Sequence, residues 1–504
     1  MKNLLTSASV LALATLPHAA SAQDVFDLGT ITISASQTPT ETARTGASVE
    51  VVTQEDLNAA PAARIVETLD YLPGVSVSGN GGLGASATLR LRGLSNTYIG
   101  VYVDGIDVSD PSRTQTQFDF GSLTSGGIGR VEMLKGSQSA IYGSEAIAGV
   151  VNIQTRGASE IGSEYFIDVE VGSYGTRSAT LGAATKSERG ELALTFTQTD
   201  TNGFSAQDEN DGNTEADGFS GTTLAVKGST AATDTVTLGF ALNFADSVTN
   251  QDGYDVTTNT YSDTDDSIES SRRAGRVYAE IDGTAVDHTV GLSFSDTERH
   301  YPLGYTSDFN GERTELSNTS VTQLGGVQLA FGGGYSEETF DADTATGTYE
   351  ITSFFSEAKL APTAALDLSV ALRRDGRAVF GGCTTGRFAA SLQMDEATTL
   401  RASLGTGFRA PSLYELFAPS YGNTALTPEE SQSAEIGVER RFDNGGSVEA
   451  TVFTTEIDNL IGFDMTTFAY AQTPGQSQSR GVEVAAATPL TSGIEAFGSY
   501  TYVD

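Results

Sequence analysis

The sequence predicts a transmembrane antiparallel β-barrel preceded by a smaller α+β domain, and three observations predict it. The chain begins with a secretory signal, and no later apolar run is long enough for a membrane-spanning helix. Most of its length alternates apolar and polar residues with a period of two. The connections between those alternating segments are by turns short and long.

The signal comes first. Met1-Lys2-Asn3 leads into an apolar stretch from Leu4 to Leu16, then Pro17 and the small triplet Ala20-Ser21-Ala22, so cleavage is expected before Gln23. The apolar core falls short of the roughly 18 to 20 residues a spanning helix needs, which leaves a periplasmic, secreted or outer-membrane destination. The composition includes 56 Gly and only 38% hydrophobic residues, spread thinly, which suits many short strands better than one thick core. A formal charge of −37 sets nucleic acid aside as a partner through long-range repulsion. Cys383 is the only cysteine, so no internal disulfide or cysteine-based metal site is available, and a small packed side chain is expected.

After the signal, residues 1–22, the chain has two grammars. Residues 23–50 read as an extended segment and linker, 51–157 mix short helical and strand signals, and 158–504 form a long alternating series. Leu192, Leu194 and Phe196 alternate with Ala193, Thr195 and Thr197, and Val290, Leu292 and Phe294 with Gly291, Ser293 and Ser295. The pattern recurs at Leu366/Leu368/Val370/Leu372, Leu400/Ala402/Leu404 and Val448/Ala450/Val452. A soluble sandwich would alternate in the same way, and the connections separate the two. Asp443-Asn444-Gly445-Gly446 is short, whereas 202–218, 251–271 and 341–348 are long and polar, as in a barrel with distinct periplasmic and extracellular ends. Trp is absent, so an interfacial aromatic girdle falls to Tyr and Phe.

The first half carries six marks in order: Leu72-Pro73-Gly74-Val75, Leu91-Arg92-Gly93, Val101-Tyr102-Val103-Asp104-Gly105-Ile106, Arg130-Val131-Glu132-Met133-Leu134-Lys135-Gly136, Ser139-Ala140-Ile141-Tyr142-Gly143-Ser144 and Ala148-Gly149-Val150-Val151-Asn152-Ile153. Together they resemble the plug domain of TonB-dependent outer-membrane receptors, and the resemblance runs on to Asp504. It implies a 22-stranded barrel with the plug inside its lumen. About 347 residues follow the plug, and at roughly 20 per strand they make about 17 strands. The chain also ends within a strand at Tyr502-Val503-Asp504, so several C-terminal strands are expected to be missing.

Charges on plug strands need partners once they are enclosed by a barrel. The resemblance implies a plug–barrel lock of Arg92, Arg130 and Glu132, with Arg92 and Arg130 facing Glu435 in Ser433-Ala434-Glu435-Ile436-Gly437. The family's second wall acid would fall near Thr406, where none stands. Upstream, the β-branched run around Thr30, Ile31, Thr32 and Ile33 can offer its backbone to another sheet edge and looks like a TonB box. Its implied partner is the periplasmic C-terminal domain of TonB. Phe408-Arg409-Ala410-Pro411 with Leu416-Phe417 resembles a barrel motif emphasised in haem receptors. His288 and His300, the only histidines after the signal, sit in polar contexts and make poor axial ligands, which disfavours haem.

The run from Gln207 to Phe219 packs five carboxylates, and Tyr254-Asp255 adds another on the next long loop. Calcium takes six to eight oxygen ligands from such loops. Cobalamin receptors of the family carry loops resembling these, which implies calcium held by Asp208, Glu215, Asp217, Tyr254 and Asp255. Ser205 stands where that subfamily has an aspartate. The implied cargo is a corrinoid, bound at the plug apices 80–86 and 107–116, including Asn80, Gly81, Ser86, Ser109 and Ser112. The alternatives are a ferric siderophore or other metal chelate, told apart by the aromatic and basic lining of the pocket, and a passive porin, which needs neither plug nor TonB box. An enzyme is disfavoured, because no Gly-rich phosphate loop ending in Lys-Ser/Thr, zinc-type His pair or Gly-x-Ser-x-Gly elbow occurs. A monomer in contact with outer-membrane lipid and lipopolysaccharide is expected.

Overall fold

The computed structural model describes residues 31–59, 64–208, 210, 212–255, 259–304, 306–342, 345–377, 381–491 and 493–504. Thr30, at the start of the expected TonB box, lies outside the described residues, as do Glu209 and Asp211 of the acidic run.

The N-terminal domain is built on a five-stranded sheet in the order Val49–Thr53, Ile128–Lys135, Gly149–Thr155, Ile99–Val103, Ile106–Asp107. The Ile99–Val103 and Gly149–Thr155 strands run parallel, each with apolar residues facing both ways. That continuous Val/Ile character is what a strand covered on both faces requires. A separate hairpin pairs Val75–Gly79 with Ala87–Leu91; the helix Gln54–Ala59 packs on the five-stranded sheet and Ile65–Leu69 on the hairpin. Ile65, Leu69, Leu89, Ile99 and Val101 are fully buried at the centre of this core.

From Gly162–Val171 to Ile494–Val503 the chain makes one 17-stranded antiparallel sheet, almost every strand pairing with its neighbour in sequence. The single interruption is a small hairpin, Ile461–Asp464 with Ala469–Gln472, outside the main ladder. The first and last strands of the sheet are not paired with each other. The sheet curls around the N-terminal domain. Gly126 and Gly127 abut Thr195 and Thr197, Asp104 meets Lys227, Asp110 meets Arg299 and Arg92 meets Glu435. The first domain is therefore a plug inside the second.

The polarity of the alternation separates barrel from sandwich. Leu192, Leu194 and Phe196 are 49, 44 and 37% exposed, whereas Ala193 and Thr195 between them are 6 and 4% exposed. Val290, Leu292 and Phe294 repeat the pattern around buried Ser295. Large apolar side chains pointing outward and small polar ones inward suit a lipid exterior and a lumen filled by protein. Inward-facing Ala and Thr also let the plug backbone approach: a Cβ on Gly126 would lie 2.7 Å from Thr197 Cγ2. Leu194→Arg should accordingly cost about 2–4 kcal/mol, the range for a cation near the bilayer midplane. Urea titration of receptor folded into phospholipid vesicles measures it; a loss below about 0.5 kcal/mol would contradict a lipid-facing position.

Candidate functional site

Four charged side chains join plug to wall in near-complete burial. Arg92 donates through Nη1 to Glu435 at 2.6 Å and through Nε and Nη2 to the two oxygens of Glu483, each at 3.0 Å. Lys135 donates to Glu50 at 2.9 Å, to the Pro73 carbonyl at 2.8 Å and to Glu483 at 3.3 Å. Burial works against both cations, but the adjacent carboxylates more than offset it, and both stand above their ordinary pKa values. Arg92 also lies 4.5 Å over the Phe453 ring. Gly74 makes room for this cluster: its φ is +75°, and a Cβ there would fall 1.8 Å from Glu483 Oε1.

This arrangement changes the expected lock. Arg92 reaches Glu435, but Arg130 does not, and the second cation is Lys135. The second wall acid is Glu483, on Gln476–Thr491, two strands along from Glu435. Thr406 is exposed on the outer face, bonded to the Gly386 amide, where an acid would meet lipid. Signals for both missed residues were in the sequence. Val482-Glu483-Val484 sets one acid between outward-facing valines, and Met133-Leu134-Lys135-Gly136 ends an apolar strand on a cation.

Arg130 and Glu132 instead hold the N-terminal segment. Glu132, fully buried, accepts from Thr32 Oγ1 at 2.8 Å, from the amides of Ile33 and Ser34 at 3.1 Å each, and from Ser34 Oγ. Arg130 Nε braces the carboxylate at 2.8 Å, and its Nη2 donates to the Ile31 carbonyl. Ile31–Thr32 then pairs with Thr40–Glu41. The described part of the segment expected to be a TonB box is thus docked on the plug.

At the outer end the two plug apices differ. Loop 79–86 lies under the strand ends: Gly81 faces Ala206, Gly82 faces the Phe204 ring and Gly84 faces Phe219 and Thr249. Asn80 is exposed, and Gly81 and Ser86 are half-buried. Loop 107–116 is pinned to the wall, with Asp110 accepting from Arg299 at 2.9 Å and Arg299 also donating to Ser112 Oγ at 3.0 Å. Ser109 and Ser112, 3 and 0% exposed, sit in that interface rather than at an open surface. Nearby, burial together with Glu338 pushes the Glu145 carboxyl up to about 7.

The acidic loops converge on carboxylates only partly anticipated. Asp217 accepts from the Ala206 amide at 2.7 Å, Asp252 from the Gln207 amide at 3.1 Å, and Asp263 from the amides of Thr214 and Glu215 at 2.7 and 2.9 Å. Asp252 and Asp263 are in side-chain contact, and among the described residues their buried Oδ1 atoms have no hydrogen-bond partner. Asp208 is spent on Asn210 at the exposed end of the loop. Tyr254 is 48% exposed, and the Asp255 side chain lies outside the described residues. Among the described residues no group of three or more His, Cys, Asp or Glu stands in metal-holding geometry. His288 and His300 are bonded to Ser320 and Asp308.

A plug locked inside a lipid-facing sheet meets its counterpart among known families. The family model for the TonB dependent receptor-like β-barrel matches residues 169–504, and that for the TonB-dependent receptor plug domain matches residues 41–150. The chain is a TonB-dependent receptor. It is 28% identical over 485 residues to the vitamin B12 transporter BtuB of Vibrio cholerae serotype O1, covering 91% of this chain and 75% of that protein. The BtuB of Photobacterium profundum is 28% identical over 446 residues, 83% of this chain and 68% of that one. Among solved structures, the ferric enterobactin receptor PfeA of Pseudomonas aeruginosa superposes with a TM-score of 0.75 at 18% identity, over 90% of this chain and 79% of that one. The siderophore receptor PirA of Acinetobacter baumannii does so with a TM-score of 0.75 at 17% identity, over 90% and 80%. At such identities these superpositions establish the fold.

The receptor is an outer-membrane protein, and its barrel motif has a structural reason. Arg409, 1% exposed, donates to Glu415 at 3.0 and 3.1 Å and to Glu429 at 2.8 and 2.9 Å, both acids being fully buried. Glu415 completes a capping box with Ser412 on the helix Leu413–Phe417. Glu429 accepts from the Ile461 amide at 2.6 Å. One guanidinium therefore ties the receptor's 410–428 connection to the Ile461–Gln472 hairpin, and the rings of Tyr421, Phe463, Phe468 and Tyr470 meet there at 5.4–6.1 Å between centroids.

Proposed function

We propose that this receptor takes up a corrinoid across the outer membrane, driven by TonB. The observation that carries this reading is a charge census of the outer connections. Residues 172–176, 205–216, 256–259, 301–307, 343–344, 378–380, 410–428 and 459–475 contain no Lys, Arg or His. The cation of the plug apex, Arg113, is committed to Asp119 at 2.8 Å and Asp110 at 3.6 Å. An anionic ferric chelate entering this mouth would meet carboxylates with no free cation in the connections to offset them. A corrinoid, with its broad apolar faces and little net negative charge, fits the exposed rings of Tyr421, Phe463 and Phe468. The names of the BtuB relatives support the same cargo. The ferric-siderophore reading draws on solved structures whose likeness is one of fold.

Calcium belongs to this reading. Two carboxylates in contact with their Oδ1 atoms buried and unsatisfied are costly unless a cation joins them, and Asp252 and Asp263 are so placed. With loop carbonyls this pair would hold Ca2+, which would supply positive charge between the acidic loops above plug apex 79–86. The signal peptide would be removed before Gln23, leaving the Thr30–Ile33 region for TonB.

The test is titration of the full-length receptor with cyanocobalamin, with and without calcium, beside a panel of ferric siderophores. Saturable cobalamin binding, tightened about tenfold by calcium, is expected, a factor that corresponds to about 1.4 kcal/mol. Asp252→Asn with Asp263→Asn should abolish the calcium effect. Siderophore binding without cobalamin binding would overturn the cargo.

A further inference from the structure

Away from the Arg92 cluster, plug and wall meet at a second set of buried charges, and this one holds a carboxyl too many. Glu145 on the plug is 4% exposed, and Glu338 on the wall strand Val327–Ala342 is 2% exposed. Glu145 has a φ of +62°, a left-handed conformation that residues other than glycine rarely adopt, so its surroundings and not its local preference hold the carboxyl in place. Its Oε1 accepts from Ser144 Oγ at 2.6 Å, and Ser144 Oγ accepts in turn from the Ala410 amide of the barrel domain at 3.0 Å. Among the described residues the buried Oε2 of Glu338 has no hydrogen-bond partner.

The cations around the pair do not balance it. Arg313 Nη1 donates to Glu338 at 2.7 Å but also lies 3.2 Å from Asp107, and Nη2 lies 3.7 Å from Glu315. Arg377, 9% exposed, packs over the Tyr349 ring at 5.3 Å, and Tyr349 is hydrogen-bonded to Glu338. On the strand of Arg377, Arg373 stands 3.0 Å from Asp375. Three guanidiniums thus serve the four buried carboxyls of Asp107, Glu145, Glu338 and Asp375, with Glu315 partly solvated at the edge. A carboxylate left uncompensated in such burial takes up a proton. A cavity of about 630 Å³, lined in part by Ser144, Arg313, Glu315 and Arg377, lies against the cluster and has room for the water that carries a proton in or out.

We propose that Glu145 and Glu338 form a proton-binding site across the plug–wall boundary: one proton shared by the pair holds loop 143–147 against the wall, and its release into the adjoining cavity as the pH rises loosens that contact. The direction follows from linkage. Away from the wall Glu145 titrates in the ordinary carboxylate range, whereas burial and the neighbouring Glu338 make the docked loop keep its proton up to about 7. Docking is therefore tightest in acid, weakens as the pH climbs from the carboxylate range through about 7, and changes no further above it. The site acts on the grip between plug and wall and is independent of the cargo.

The experiment follows hydrogen exchange of the Ala410 amide, a barrel group whose partner is Ser144 on the plug, in full-length detergent-solubilised receptor. Parent and Glu145→Gln are compared at equal pH, so that the intrinsic pH dependence of exchange cancels. The two should exchange alike near about pH 5, and the parent should exchange at least about tenfold faster than the variant at about pH 8. Glu338→Gln should flatten the profile in the same way, and the Ser48 amide, bonded to Glu435 in the other cluster, should show no such divergence. An infrared difference spectrum of the parent between the same two pH values should show a buried protonated carboxyl disappearing, a signal that needs no Glu145 variant to fold. A parent-to-variant ratio that stays constant with pH overturns the proposal, and so does a difference spectrum without that carboxyl band.

Discussion

Arg92→Ala should release the plug from the wall at a cost of about 3–5 kcal/mol, the range for removing one partner from a buried ion pair. The guanidinium is 4% exposed and serves Glu435 and Glu483, whose side chains are 5 and 4% exposed. Without it, among the described residues, Lys135 is the one cation left in direct contact with Glu483, and Glu435 keeps only neutral donors from Ser48 and Ser403. Arg92→Lys should recover less than half of the loss, because an ammonium cannot fork to both acids from one position. Urea unfolding of the plug in detergent-solubilised receptor, followed by exchange of the Ile99–Val103 amides, reads the change. A midpoint for Arg92→Ala equal to that of the parent would show that the cluster does not carry the docking.

Arg409→Ala should have an effect of similar size, at the outer mouth instead of the plug. It strands Glu415 and Glu429, both fully buried, and with them the contacts that hold the 410–428 connection to Ile461. A loss of about 3 kcal/mol or more corresponds to at least roughly a hundredfold rise in the open population of that connection. Protease added to intact cells should cut within 410–428 faster by that factor, with the strands on either side still protected in the membrane. Combining Arg409→Met with Glu415→Gln and Glu429→Gln should restore much of the resistance, since the unpaired charges then vanish. Cleavage at the parental rate in Arg409→Ala would place the rigidity of the mouth elsewhere, in the ring cluster around Phe463.

Reading the sequence and reading the structure part company where distance along the chain grows. The alternation at Leu192–Thr197 is local, so its period is plain in the letters. The direction of its apolar face is not, because a sandwich and a barrel share the period and differ in what covers it. Glu435 was legible as a wall acid, whereas Glu483 was not, although both meet Arg92. That meeting depends on the intervening strand Ser447–Asp458, which sets Glu435 opposite Phe453 and Phe453 opposite Gly481. Arg130 and Glu132 were legible as charges in need of partners, but their partners come from Ile31–Ser34, about a hundred residues earlier. The acidic loops pointed to a cation through Asp208, Glu215 and Asp217, while the fold sets Asp252 beside Asp263, a pair the spacing alone did not single out.

By itself the sequence determined the period-two strands, the family marks of the plug and the long polar connections between strands. These depend on residue types and near neighbours, and such local preferences survive in one dimension. Only the tertiary structure decided which charges pair, which apices are buried and that the Ile31–Ser34 stretch docks on Glu132. Each of those outcomes is set by a barrel wall that brings positions hundreds of residues apart within hydrogen-bond reach, and the cost of leaving a buried charge unpaired then selects the partner.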